Sequence, residues 1–359
     1  MKTSPNNFFF GKVFIAWLLI AAFYAAAEKG MRLRHAAKHG ERGPRMVIDD
    51  LIEGRYLIPN TDRKSKTGSI SINEHGYRGH SFEQVPPEGT LRFVILGDST
   101  TWGGTTDETT FPACLEKVLN RRYESNPPIE VVNAGIVGLG ASSMRVHLER
   151  RIVKIKPQYL LIYPAANDFY TIMSGSSITG KSADSFFGKF NVRLWRYRRS
   201  TFYNVFLDKV KQLGISPQAE AVKFVPFPKH GKTFFQEEYS KLIETALQLD
   251  IQPIMLAHSY LIRSKQTHEE AQHFLKGHFF QLGAQGALDG ITAQNNIARE
   301  VAEKHNCLFL DTENSVPANR EFFDIDALHF NDKGNEMFAE DLAKKLEQAG
   351  VIKPKLSSK

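Results

Sequence analysis

Cysteine is nearly missing. Cys114 and Cys307 are the only two in the 359-residue chain. They fall in different predicted elements and match no zinc spacing, so a disulfide framework and a cysteine-rich metal site drop out. Both are expected to be buried free thiols. No Gly-x-Ser-x-Gly pentapeptide occurs, which removes the nucleophile elbow of the α/β-hydrolase fold. His268 and His273 stand five apart with no third ligand in pattern, so a zinc protease has no footing. Internal repeats and long low-complexity tracts are also missing.

Acidic residues are in deficit, 39 against 46 Lys and Arg, for a net charge of +7. Such a balance fits nucleic acid or an anionic membrane surface. The excess gathers near residues 29–45 and 189–199, which favours local contacts over a nucleic-acid groove. No nucleic-acid partner is expected. A hydrophobic content of 42% with 24% charged residues is that of an ordinary globular core. The length allows one large domain or two small ones.

What is present begins with an apolar run. Val13 to Ala27 carries no charge, and counting back to Phe8 gives about twenty residues interrupted only by Lys12. Ala25, Ala26 and Ala27 fit a small-residue cleavage site. Residues 1–27 therefore read as a removed signal peptide or a retained membrane anchor, with the rest of the chain extracytoplasmic. The basic residues that follow, Lys29 to Arg45, point the other way under the positive-inside rule. Residues 28–45 read as a basic linker beside the membrane, and residues 46–88 as a lead-in of short strands and turns.

From residue 89 to 350 the pattern alternates strands and helices, which argues a mostly parallel sheet with helices on both faces. Strands are expected at 92–97, 129–133, 158–163, 252–257 and 306–311. Helices are expected near 112–125, 142–155, 234–249, 290–304 and 333–348. The fold class is α/β, a three-layer α/β/α sandwich on a five-stranded sheet, with an N-terminal hydrophobic helix ahead of it. Residues 170–232 break the alternation and read as an insertion, an interfacial amphipathic helix, a lid or a helix packed on the domain. Within it, Gly175 to Ser182 matches the phosphate-loop pattern G-x-x-x-x-G-K-S. It lacks the strong buried strand that such a loop must follow.

Chemistry-bearing residues sit at successive strand ends. Ser99 follows the apolar strand Phe93 to Gly97; a Ser there is either a helix cap or a nucleophile. The next strand ends in Asn133-Ala-Gly-Ile-Val-Gly-Leu-Gly140, whose glycines let backbone N–H groups approach a ligand. The third ends in Ala165-Ala-Asn-Asp168, where Asn167 is either a helix cap or an amide donor. Asp326 and His329, three apart near the C-terminus, can place a carboxylate against an imidazole.

The four blocks together resemble the SGNH (GDSL-like) hydrolase superfamily. Gly97-Asp98-Ser99 is similar to its first block, Ala165 to Asp168 to its Gly-x-Asn-Asp block with Ala165 in place of Gly, and Asp326 with His329 to its last. The resemblance covers roughly residues 70–348 and implies a flavodoxin-like sheet. It implies Ser99 as nucleophile, His329 as general base and Asp326 as its orienting acid. The implied oxyanion donors are the N–H groups of Ser99 and Gly138 and the amide of Asn167, with Gly135 the second choice for the glycine. Asn73 to Gly79 also looks like a segment found before the first block in many members. The implied reaction is hydrolysis of a carboxylic ester, on a small molecule, a glycan or a lipid, with no metal or organic cofactor. An O-acyltransferase using the same site is the alternative, and a non-catalytic glycan- or lipid-binding relative is a further one. Oligomeric state is not legible.

Overall fold

The computed structural model describes residues 5–39, 46–50, 54–64, 68–123, 128–173, 227–274, 283–324 and 326–352. The phosphate-loop match, and residues 174–226 of the insertion, lie outside them.

A long helix, α1 (Pro5–His39), belongs to the first of two compact units. One expectation changes here. Residues 28–39 continue the helix where a linker is expected. Among the described residues no helix is long and apolar enough to cross a membrane.

The second unit opens with two antiparallel hairpins. Strands β1 (Val47–Asp50) and β2 (Gly54–Leu57) pair with each other, as do β3 (Thr61–Lys64) and β4 (Ser69–Ile72). Five parallel strands follow: β5 (Arg92–Gly97), β6 (Glu130–Gly135), β7 (Tyr159–Ile162), β8 (Gln252–Leu256) and β9 (Leu308–Leu310). Their order in the sheet is β6-β5-β7-β8-β9. Phe93 to Leu96 and Leu160 to Ile162 are fully buried. Strands covered on both faces read as continuous apolar runs rather than as alternation, and that is how these two segments read in sequence.

The covering helices are α3 (Phe111–Tyr123), α4 (Ala141–Arg150), α6 (Lys229–Gln248), α8 (Ala284–Lys304) and α9 (Asp332–Gln348). Helix α3 packs on α9, while α6 packs on both α4 and α8. Short helices α2 (Ser99–Trp102), α5 (Asp168–Met173) and α7 (His268–Phe274) sit in the connections. The strand order reverses between β5 and β7. In an open α/β sheet, that reversal leaves a crevice at the carboxyl ends of the two strands. Ser99 follows β5 and Asn167 follows β7.

Both cysteines are free thiols. Burial raises each to about 11. Cys114 is buried as expected, whereas Cys307 is only half-buried.

Candidate active site

Ser99 is the first residue of α2, and the capping duty falls to its neighbour. Asp98 is the N-cap and accepts from the backbone N–H of Thr100 at 2.8 Å. The Ser99 hydroxyl is thereby left for other work. Gly97 makes the turn feasible: a Cβ there would lie 1.9 Å from Thr101 Oγ1 and 2.8 Å from Thr101 Cβ. The helix therefore folds straight back over the end of β5, and no larger residue fits under it.

His329 reaches Ser99 from 230 residues away. Its Nε2 lies 2.9 Å from Ser99 Oγ, and its Nδ1 lies 2.7 Å from Asp326 Oδ2. A local turn fixes that carboxylate. Asp326 Oδ1 accepts from the N–H groups of Leu328 and His329, each at 2.9 Å, a side-chain mimic of a backbone turn. The loop is closed by a bridge between Phe323 and Phe330 and tied to the domain by Leu261 N donating to Ala327 O at 2.9 Å.

Electrostatics follow the geometry. Burial works to lower the His329 pKa, but the hydrogen bond and charge of Asp326 outweigh it, and the net shift is upward. Burial works to raise Asp326, but the hydrogen bond and charge of His329 outweigh that, and the net shift is downward. Each partner favours the charged form of the other. A hydroxyl held 2.9 Å from an imidazole oriented in this way is set up for proton abstraction.

The loop after β6 and the start of α5 approach each other. Asn167 Nδ2 donates to Asp98 Oδ2 at 2.8 Å and to Leu139 O at 3.3 Å. Gly138 is exposed and has φ +78°, in the left-handed region. The Gly135 N–H is already given to Asn133 Oδ1 at 2.9 Å. The neighbour of Asn167 does something different. Asp168 is fully buried and accepts from Ala141 N at 3.0 Å, which caps α4.

A family model for GDSL-like lipases and acylhydrolases matches residues 95–337. The chain belongs to that family. The family is one of GDSL-like lipases and acylhydrolases. One curated relative of this GDSL-family chain is the uncharacterized lipoprotein YqeF of Bacillus subtilis (strain 168), 25% identical over 142 residues. The match covers 40% of this chain and 49% of YqeF, so the chain spans about half the length of that curated relative. A lipase/acylhydrolase from Enterococcus faecalis is similar at 17% identity and TM-score 0.45, over 74% of this chain and 100% of that one. An acetyl xylan esterase from Geobacillus stearothermophilus is similar at 13% identity and TM-score 0.44, over 74% and 97%.

Three supporting residues of this GDSL-family domain escape a sequence reading. Thr100 Oγ1 donates to Asp98 Oδ1 at 2.7 Å and lies 3.2 Å from His258 Nε2. With the Thr100 proton given to Asp98, the imidazole nitrogen is the donor in that second contact. His258 is fully buried and stacked between Tyr163 and Tyr260, at 4.3 and 3.8 Å between ring centroids. Burial holds its pKa well below the ordinary value. Asp98 is thus a buried junction between His258 and Thr100 on one side and Asn167 on the other. Arg78, from the lead-in, is the third. Its guanidinium donates to the backbone carbonyls of Trp102, Gly103, Gly104 and Thr106 and to Asp107 Oδ1, at 2.9 Å for the last. It stitches down the loop that follows Ser99. No spacing rule joins Arg78 or His258 to Ser99 in sequence; the notable Asn73 to Gly79 segment was the one signal for Arg78.

Proposed function

We propose that the chain hydrolyses a carboxylic ester through Ser99, His329 and Asp326. Ser99 Oγ attacks the ester carbonyl while His329 Nε2 takes its proton. Asp326 orients the imidazole and stabilises the imidazolium that forms. His329 then returns the proton to the leaving alcohol, and water releases the acyl group from Ser99 by the same route. The backbone N–H groups of Ser99 and Gly138 and the Asn167 amide receive the oxyanion. Gly138 is preferred over Gly135 because the Gly135 N–H is already donated. The observation that carries this reading is the unbroken contact from Ser99 Oγ through His329 to Asp326.

An O-acyl group on a glycan or lipid is the substrate class in this reading, with the enzyme at the cell envelope. The support is the exposed apolar side chains of α1, among them Trp17, Leu19 and Phe23, and the likeness to a lipoprotein. Labelling with a fluorophosphonate, followed by peptide mapping, tests the reaction. Ser99 is expected to carry the label, and Ser99→Ala to lose ester hydrolysis while keeping its far-UV circular dichroism. Full turnover by Ser99→Ala would exclude the mechanism. A panel of acetylated glycans and short lipid esters, with fractionation of cells, tests the substrate class and the location.

A further inference from the structure

The hairpin of β1 and β2 lies outside the residues matched by the family, yet one of its side chains reaches the loop beside the nucleophile. Its base is tied by Ile58 N donating to Met46 O at 2.8 Å, and Leu57 is buried. The Tyr56 ring lies under the Arg151 guanidinium, 3.7 Å from the ring centre, at the end of α4. Arg55 is two residues before Leu57 and shares its face of the strand. From there Arg55 Nη1 donates to Val137 O at 3.1 Å. A Cβ on Gly138 would lie 2.1 Å from that same nitrogen, so the guanidinium lies directly against the glycine.

Val137 O and the Gly138 N–H belong to one peptide unit. The unit is planar and trans, so its carbonyl and its N–H point in opposite directions. Holding the oxygen therefore sets where the N–H points. A hydrogen bond on the oxygen also polarises the amide and strengthens its N–H as a donor. The need for such a hold is plain: Val137 and Gly138 are both exposed. A left-handed glycine is the residue at which a peptide unit turns over most readily. On the far side of the tip the loop is anchored by Leu139, whose N–H goes to Ile136 O at 3.0 Å and whose carbonyl accepts from Asn167.

We infer that Arg55 is a positioning residue for ester hydrolysis, clamping the Val137–Gly138 peptide so that the Gly138 N–H faces the oxyanion. The inference rests on the proposed oxyanion role of Gly138. It also assigns the N-terminal hairpin a part in catalysis beyond its packing.

The test compares Arg55→Met, which keeps the stem and loses the donors, with Arg55→Lys, which keeps one charged donor. Both are assayed in the full chain on a soluble aryl ester, alongside fluorophosphonate labelling. Arg55→Met is expected to lower kcat about tenfold with KM within twofold. The acidic limb of its pH profile stays in place, because His329 and Asp326 are untouched. Arg55→Lys is expected to recover most of the loss. Wild-type kcat in an Arg55→Met protein whose Ser99 still labels would overturn the inference alone. A loss that appears mainly in KM, or that shifts the acidic limb, would overturn it too. If Ser99 of the wild type fails to label, the ester mechanism itself falls, whatever Arg55 does.

Discussion

Asn167 Nδ2 donates to Asp98 Oδ2 at 2.8 Å. The amide beside the crevice is therefore aimed by the carboxylate next to Ser99. Its second contact, to Leu139 O, is longer at 3.3 Å and, in the proposed mechanism, is the one given up to the developing oxyanion. Asn167→Ala is expected to lower kcat by about 10²–10³, the typical loss for one oxyanion donor. KM should move little, since the interaction forms in the transition state. An effect confined to KM would remove Asn167 from the oxyanion role.

The His329–Asp326 pair sets a pH dependence. In the proposed mechanism His329 takes a proton only when neutral, and its pKa is raised above the ordinary value of 6.5. Activity should thus rise with pH through an apparent pKa above 6.5 in kcat/KM. The Asp326→Asn change removes the charge that raises it, so the limb should move to lower pH while the maximal rate falls. A limb that stays in place in Asp326→Asn would mean that another group titrates.

The buried junction at Asp98 predicts a coupled cost. Thr100→Val is nearly the same shape but removes the hydroxyl between Asp98 and His258. The His258 ring is locked by Tyr163 and Tyr260 and cannot turn to another partner. Leaving buried polar groups unpaired costs about 1–3 kcal/mol. Urea unfolding should show a loss of that size. A several-fold drop in kcat should accompany it through looser placement of Asn167. An unchanged unfolding midpoint would show that the junction holds without Thr100.

Much of this domain was legible because its strands are buried on both faces and its motifs fall at strand ends. The five strands and the placement of Ser99 past β5 follow from apolar runs alone. Boundaries went wrong where local closure decides them. Strand β9 starts at Leu308 because Cys307 N turns back to Ala302 O at 2.8 Å, after Asn306 at φ +51°. Helix α8 starts at Ala284, well before the expected 290, because Gly290 is not a stop. Its bare Cα lets Phe169 approach; a Cβ there would meet that ring at 2.7 Å. The roles of Arg55, Arg78 and His258 were illegible for a different reason. Each acts through contacts between segments that are distant in sequence, and no periodicity records those.

His147 gives the sharpest stability test, because its imidazole is buried and makes no hydrogen bond among the described residues. It lies in α4, fully covered, with neither ring nitrogen partnered by any described residue. The Tyr77 ring stands edge-on at 6.0 Å. Burial, helped by the Arg151 charge, lowers its pKa from 6.5 to about 3. The native state therefore refuses a proton that the unfolded chain accepts below 6.5. Its share of stability is complete above pH 6.5 and is lost as pH falls toward 3, at up to about 1.4 kcal/mol per unit. Between pH 7 and pH 5 this amounts to roughly 2 kcal/mol. His147→Leu removes the titrating group and breaks no hydrogen bond, so at pH 7 it should unfold within about 1 kcal/mol of the wild type. At pH 5 it should be the more stable of the two, by urea denaturation at matched ionic strength. If both proteins lose stability in parallel from pH 7 to pH 5, His147 is already solvated or protonated in the native state. The seat of Tyr77 and its lead-in segment on α4 would then be looser than the packed geometry implies.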